Sequence, residues 1–201
     1  MSRYFNRLAI IAVSVMLLAG CAATTAIKPD AANSNQERVK LPHQYDQALA
    51  LMRNGDYQAA IPALKTFIDE QPELAGPWVN LGISYQQTGQ RDEALAALQK
   101  AVQLNPNNAV CYHQLGIEYR EQGQFEPALQ AYQRALALDA QYGLAHRNIG
   151  ILYDLYLQQP ATALEHYRKY LELAKQPDQQ VSRWVIDLER RTATTQARAG
   201  Q

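Results

Sequence analysis

Residues 75–108 read AGPWVNLGISYQQTGQRDEALAALQKAVQLNPNN. Trp78, Leu81, Ile83 and Tyr85 fall at helical spacing, Thr88-Gly89-Gln90 interrupts the pattern, and Ala94, Leu95, Leu98, Ala101 and Val102 resume it at i, i+4 and i+7. The stretch predicts two antiparallel helices joined by a tight turn. Gly82 and Ala94 are small where the helices come closest, because a larger side chain would push the axes beyond the ~8–10 Å of packed helices. A leucine at either position is expected to cost about 1–3 kcal/mol by overpacking. Pro106 stands just past the second helix and stops it.

Moving outward, the pattern returns every 34 residues. Residues 109–142 repeat it with Tyr112, Leu115, Gly116, Tyr119, Gly123, Ala128, Tyr132 and Ala135, with Ala140 where the closing proline would be. Residues 143–177 offer His146, Ile149, Gly150 and Tyr153, then one extra residue before Ala163, Tyr167 and Tyr170. Upstream, 41–74 is a degenerate copy that keeps Gly55, Tyr57, Ala60, Leu64, Phe67 and Pro72 but has Gln44 and Gln47-Ala48 at the aromatic and Leu-Gly positions. In these residues the chain resembles the tetratricopeptide repeat (TPR) proteins. The resemblance implies an all-α fold, a right-handed α-solenoid of about four helical hairpins. In residues 178–201, Asp178 is a candidate N-cap, and Val181, Trp184, Val185 and Leu188 share one face. This segment predicts a helix that caps the last repeat, with Trp184 as a core anchor and fraying beyond about Thr192.

The N-terminus carries a different signal. Arg3 and Arg7 precede the apolar run Leu8 to Ala19, and Leu18-Ala19-Gly20-Cys21 follows the pattern of a bacterial lipoprotein signal. The run is too short for the ~20 residues of a membrane span. Residues 1–20 are read as the signal peptide and Cys21 as the first mature residue, carrying a thioether diacylglycerol and an N-acyl chain such as palmitate. Residues 21–40, rich in Ala, Thr, Asn, Ser and Gln, read as a flexible tether with a reach of about 25 Å on average and about 60 Å when stretched. By resemblance to Gram-negative lipoproteins, Ala22 in place of Asp implies delivery to the periplasmic face of the outer membrane.

Formal net charge is zero over the whole chain, and removing Arg3 and Arg7 leaves a small acidic excess. Nothing in this balance points to nucleic acid. With Cys21 acylated, Cys111 has no partner for an intramolecular disulfide and reads as a small buried hydrophobe. His43, His113, His146 and His166 show no HExxH spacing, so solvated or half-buried helix positions account for them and no metal site is expected. No nucleophile elbow or phosphate-binding loop occurs, and Asp69-Glu70 and Asp92-Glu93 read as solvated charges. No catalytic residue, small-molecule substrate or cofactor beyond the lipid on Cys21 is expected.

The TPR resemblance implies a concave wall of first helices that grips a peptide segment of a partner protein. Carried over from it, the groove-facing residues lie one, five and eight places after each Trp-equivalent position. They are Tyr45, Leu49 and Met52; Val79, Ile83 and Gln86; His113, Ile117 and Arg120; and Arg147, Ile151 and Asp154. Leu49, Ile83, Ile117 and Ile151 form an apolar ladder, read either as groove floor or as completed hairpin packing. Arg120 and Arg147 would select an acidic group. Some TPR co-chaperones clamp a terminal carboxylate with lysines and asparagines; Asn80 and Asn148 could supply part of such a clamp, but Val79 and Ile83 stand where its first Lys–Asn pair belongs. Leu155-Tyr156-Leu157 either packs beneath the capping helix or forms a partner edge. Signal and repeats together resemble the pilotin and pilus-assembly lipoproteins, implying a scaffold that assists a pilus or secretin complex. The alternatives are an adaptor for peptidoglycan hydrolases and an accessory of a periplasm-spanning energy-transducing or motility complex.

Overall fold

The computed structural model describes residues 43–199. The segments read from sequence as signal peptide and tether, with Cys21 between them, lie outside the described residues. Within them the chain is all-helical: α1 (His43–Arg53), α2 (Tyr57–Glu70), α3 (Ala75–Gln87), α4 (Arg91–Leu104), α5 (Ala109–Glu121), α6 (Phe125–Leu138), α7 (Gly143–Ile151), a π-helical turn (Leu152–Tyr156), α8 (Pro160–Leu173) and α9 (Gln179–Ala199). Four hairpins, α1/α2, α3/α4, α5/α6 and α7/α8, stack in chain order, and α9 closes the end against α8.

The three regular hairpin turns share one device. Gly55, Gly89 and Gly123 take φ of +80°, +78° and +73°, where a β-carbon is disfavoured. The next residue then donates its N–H to the carbonyl five residues back: Asp56 to Leu51 (2.9 Å), Gln90 to Tyr85 (2.9 Å) and Gln124 to Tyr119 (2.8 Å). In the fourth hairpin the extra residue is absorbed as the π turn, closed by the Leu157 N–H on the Leu152 carbonyl at 3.0 Å. The closing bond spans six residues instead of five, Gln159 N–H to Tyr153 O at 2.8 Å, and Gln158 occupies the left-handed slot at φ +53°.

The second, third and fourth hairpins each close over a glycine. A β-carbon on Gly82 would stand 2.6 Å from Leu98 Cγ, and one on Gly116 or Gly150 would stand 2.5 Å from the ring of Tyr132 or Tyr167. Leu98, Tyr132 and Tyr167 are themselves fully buried, so none can swing into solvent. The expected close approach at Gly82 is therefore real, and overpacking there has no outlet.

Asp178 caps α9 by accepting the N–H groups of Gln180 and Val181, both at 3.0 Å, and also accepts the Tyr170 hydroxyl at 2.8 Å. Val181 and Leu188 are buried, and Trp184 packs on Tyr167 with ring centroids 5.4 Å apart, which makes it the expected core anchor. The helix continues past Thr192 to Ala199, further than expected from sequence. Cys111 is fully buried beside Val79 and Ala101. The Leu155–Leu157 segment does not pack beneath α9. Tyr156 stacks on Phe125 at 4.3 Å, Leu157 joins the cluster around Leu129, and Leu155 is 65% exposed.

Candidate functional site

The first helices touch one another along the array, α3 with α5 and α5 with α7, which places them on the inner side of the stack. Buried hydrogen bonds stitch this wall together. Asn80 donates its amide N–H to the Tyr45 hydroxyl at 2.7 Å, and, two repeats along in the same register, Asn148 Nδ2 meets His113 Nε2 at 2.8 Å.

That stitching removes several expected groove residues from ligand reach. Tyr45, Leu49, Met52, Val79 and His113 are all 7% exposed or less. Tyr45 stacks on Phe67 at 4.7 Å, Leu49 and Met52 join the cluster built from α1 to α4, and Val79 packs on Ala101 and Cys111. The ladder therefore lacks Leu49. Ile83, Ile117 and Ile151 are half-buried, each resting on a core cluster with part of its surface open. Gln86 spans to the Gln114 carbonyl at 3.5 Å. Asp154 is held at 2.7 Å by Arg191 of the capping helix. Asn80 and Asn148, being bonded within the wall, offer no amides to a terminal carboxylate.

What remains polar on the wall is concentrated around His113. Its ring meets the Tyr142 hydroxyl at 3.2 Å through Nδ1, with the two rings edge to face at 4.9 Å. Burial, then the positive charges of Arg147 and Arg120, hold this imidazole down at about pKa 4. Tyr142 is pushed up to about 12, chiefly by burial, and burial also raises Tyr132 well above the usual phenol range. Arg120 pairs with Glu121 at 2.8 Å, and Arg147 lies over the Tyr170 ring at 6.0 Å. The buried Nε atoms of both arginines and the Tyr132 hydroxyl meet no partner at full hydrogen-bond geometry, although Arg120 lies beside the Tyr132 hydroxyl and Arg147 beside that of Tyr170, close enough to favour each phenolate.

Sequence reasoning missed two features. Glu118 is fully buried, bonded by Gln122 Nε2 at 3.1 Å and Arg91 at 3.5 Å; the equivalent slots one repeat away hold Ser84 and Leu152, equally buried. His146 and His166 meet through their Nδ1 atoms at 3.1 Å, and burial, then His146, lowers His166 to about pKa 4. Aligning the repeats against one another would have flagged both positions, because a polar residue there departs from its counterparts.

Tetratricopeptide repeat profiles match residues 44–73, 73–141 and 113–180. Together they span most of the hairpin array and over half of the chain, and the protein belongs to the tetratricopeptide repeat family. A search of curated proteins gives no match. Among solved structures, MamA from Desulfovibrio magneticus RS-1 is 28% identical, with a TM-score of 0.59 over 65% of this chain and 73% of that one. Pseudomonas aeruginosa PilF is 22% identical, with a TM-score of 0.69 over 75% of this chain and 68% of that one. The first TPR domain of Spaghetti (RPAP3), bound to the HSP90 peptide SRMEEVD, is 24% identical, with a TM-score of 0.56 over 59% of this chain and 93% of that one.

Proposed function

We propose that the protein is a non-catalytic scaffold, anchored through lipidated Cys21 at the periplasmic face of the outer membrane, whose inner wall binds an acidic or amphipathic peptide segment of a partner. The observation that carries this reading is the placement of two part-buried arginines, Arg120 and Arg147, beside the half-open Ile117 and Ile151 on the inner wall. A partner carboxylate would pair with the accessible edges of the two guanidinium groups by charge-assisted contacts while its apolar neighbours cover the isoleucines. Cationic charge held on both sides of a neutral His113 repels lysine- or arginine-rich segments, which gives the wall its preference. The partner is proposed to be a component of a pilus or secretin complex, a choice supported by the lipoprotein signal combined with the repeats and by the fold shared with PilF.

The test is photo-crosslinking in cells from position 117, with and without Arg120→Gln and Arg147→Gln. Loss of the crosslinked partner in the double variant, with helical content unchanged, supports the reading. Undiminished crosslinking sinks the arginine role. Secretin multimers that keep their membrane position when the gene is deleted overturn the pilus assignment, and precursor processing that globomycin does not block overturns the anchor.

A further inference from the structure

The fourth hairpin departs from its siblings at one pair of positions. Trp78 and Ala97 in the second hairpin, and Tyr112 and Ala131 in the third, hold a large aromatic ring opposite a small residue; the fourth has His146 and His166. In the second hairpin that pair lines a cavity of about 430 Å³ between α2 and α4. The two imidazoles in the fourth hairpin are half-buried and keep part of their surface exposed.

We propose that His146 and His166 form a two-histidine site for a divalent first-row transition metal, with Zn²⁺ as its probe, both binding through Nδ1. Three observations support it. The Nδ1 atoms lie 3.1 Å apart on two different helices of one hairpin. Metal–nitrogen bonds of ~2.0–2.1 Å would then subtend about 100° at the ion, between the square-planar and tetrahedral values. His146 Nε2 lies 3.3 Å from the Ala140 carbonyl, and a bond there places the proton on Nε2 and leaves the Nδ1 lone pair bare. A metal-bound histidine characteristically donates its remote N–H in this way, which fixes ring orientation and tautomer. Finally, both rings are supported from the side: they lie 5.2 Å apart between centroids, and Tyr153 stacks against His166 at 6.1 Å. Among the described residues no group of three or more potential ligands occurs, so the protein supplies two ligands and leaves the remaining positions to water or to a residue of a bound partner.

The alternative is a plain His–His hydrogen bond with one shared proton. Nitrogen-15 NMR of the full chain under Zn²⁺ titration separates the two, because coordination moves both Nδ1 resonances at one equivalent. The variants His146→Tyr and His166→Ala restore side chains that the third hairpin already carries at these slots, so the fold has a precedent for each. The expected result is simultaneous perturbation of the two Nδ1 signals in the wild type and at least about tenfold weaker Zn²⁺ binding in each variant. Unmoved Nδ1 signals, or variants that bind as tightly as the wild type, overturn the proposal.

Discussion

Gln158→Gly should stabilise the protein. The side chain at 158 sits at φ +53°, in the slot that Gly55, Gly89 and Gly123 fill at +80°, +78° and +73°. An L-residue in the left-handed region costs about 1–2 kcal/mol through the clash of its β-carbon with the following carbonyl. Replacing it by glycine removes that cost but gives back about 0.5–1 kcal/mol, because glycine loses more backbone freedom on folding. The net expectation is a gain of about 0.5–1 kcal/mol. For a chain of this size, 1 kcal/mol shifts the midpoint by about 2–4 °C, so the melt should rise by roughly 1–4 °C.

The mirror experiment is Gly123→Gln. A β-carbon there would meet nothing within 4 Å, so its cost isolates backbone strain from packing. It should lose about what Gln158→Gly gains, separating the two variants by about 1–2 kcal/mol in urea melts followed by circular dichroism. Because repeat arrays can unfold in segments, amide exchange across α7 and α8 should show the gain confined to the fourth hairpin. If Gln158→Gly is neutral or destabilising while Gly123→Gln costs the expected amount, the strain argument fails at 158 and the glutamine side chain contributes a contact that offsets it. If both are neutral, the left-handed slot is not what these turns require.

Further perturbations test two buried polar groups, His113 and Glu118. His113 is neutral in the folded chain with its pKa at about 4, so from about pH 6.5 downward the unfolded chain takes up a proton that the folded one refuses. Stability should therefore fall as pH drops from about 6.5 to about 4, by up to roughly 3 kcal/mol from this residue, and His113→Gln should flatten the slope; an unchanged slope would exonerate His113. Arg91→Ala should cost about 1–2 kcal/mol, because it leaves the Glu118 carboxylate buried with only Gln122, the half-exposed arginine keeping the loss below that of a fully buried pair. Glu118→Leu copies Leu152 into the same slot and should cost less; urea melts giving the reverse order would count against the desolvation argument.

The solenoid was legible because its periodicity is carried by the residues that make it. Gly82, Gly116 and Gly150 recur at 34-residue intervals since the helix opposite each leaves no room for a β-carbon. The extra residue near 157 was visible as a count, but not as a π turn followed by a left-handed glutamine, because a count does not say where the backbone takes up the slack. The inner wall was harder for a related reason. Tyr45 and His113 disappear from it because the next repeat places Asn80 and Asn148 against them, and Val79 because the next repeat brings Cys111 into its cluster. Arg147, in the same register, is followed by no further repeat and stays half-open over Tyr170. Exposure at one position of a solenoid is thus set by the residue one repeat downstream. A pattern carried over repeat by repeat omits that coupling.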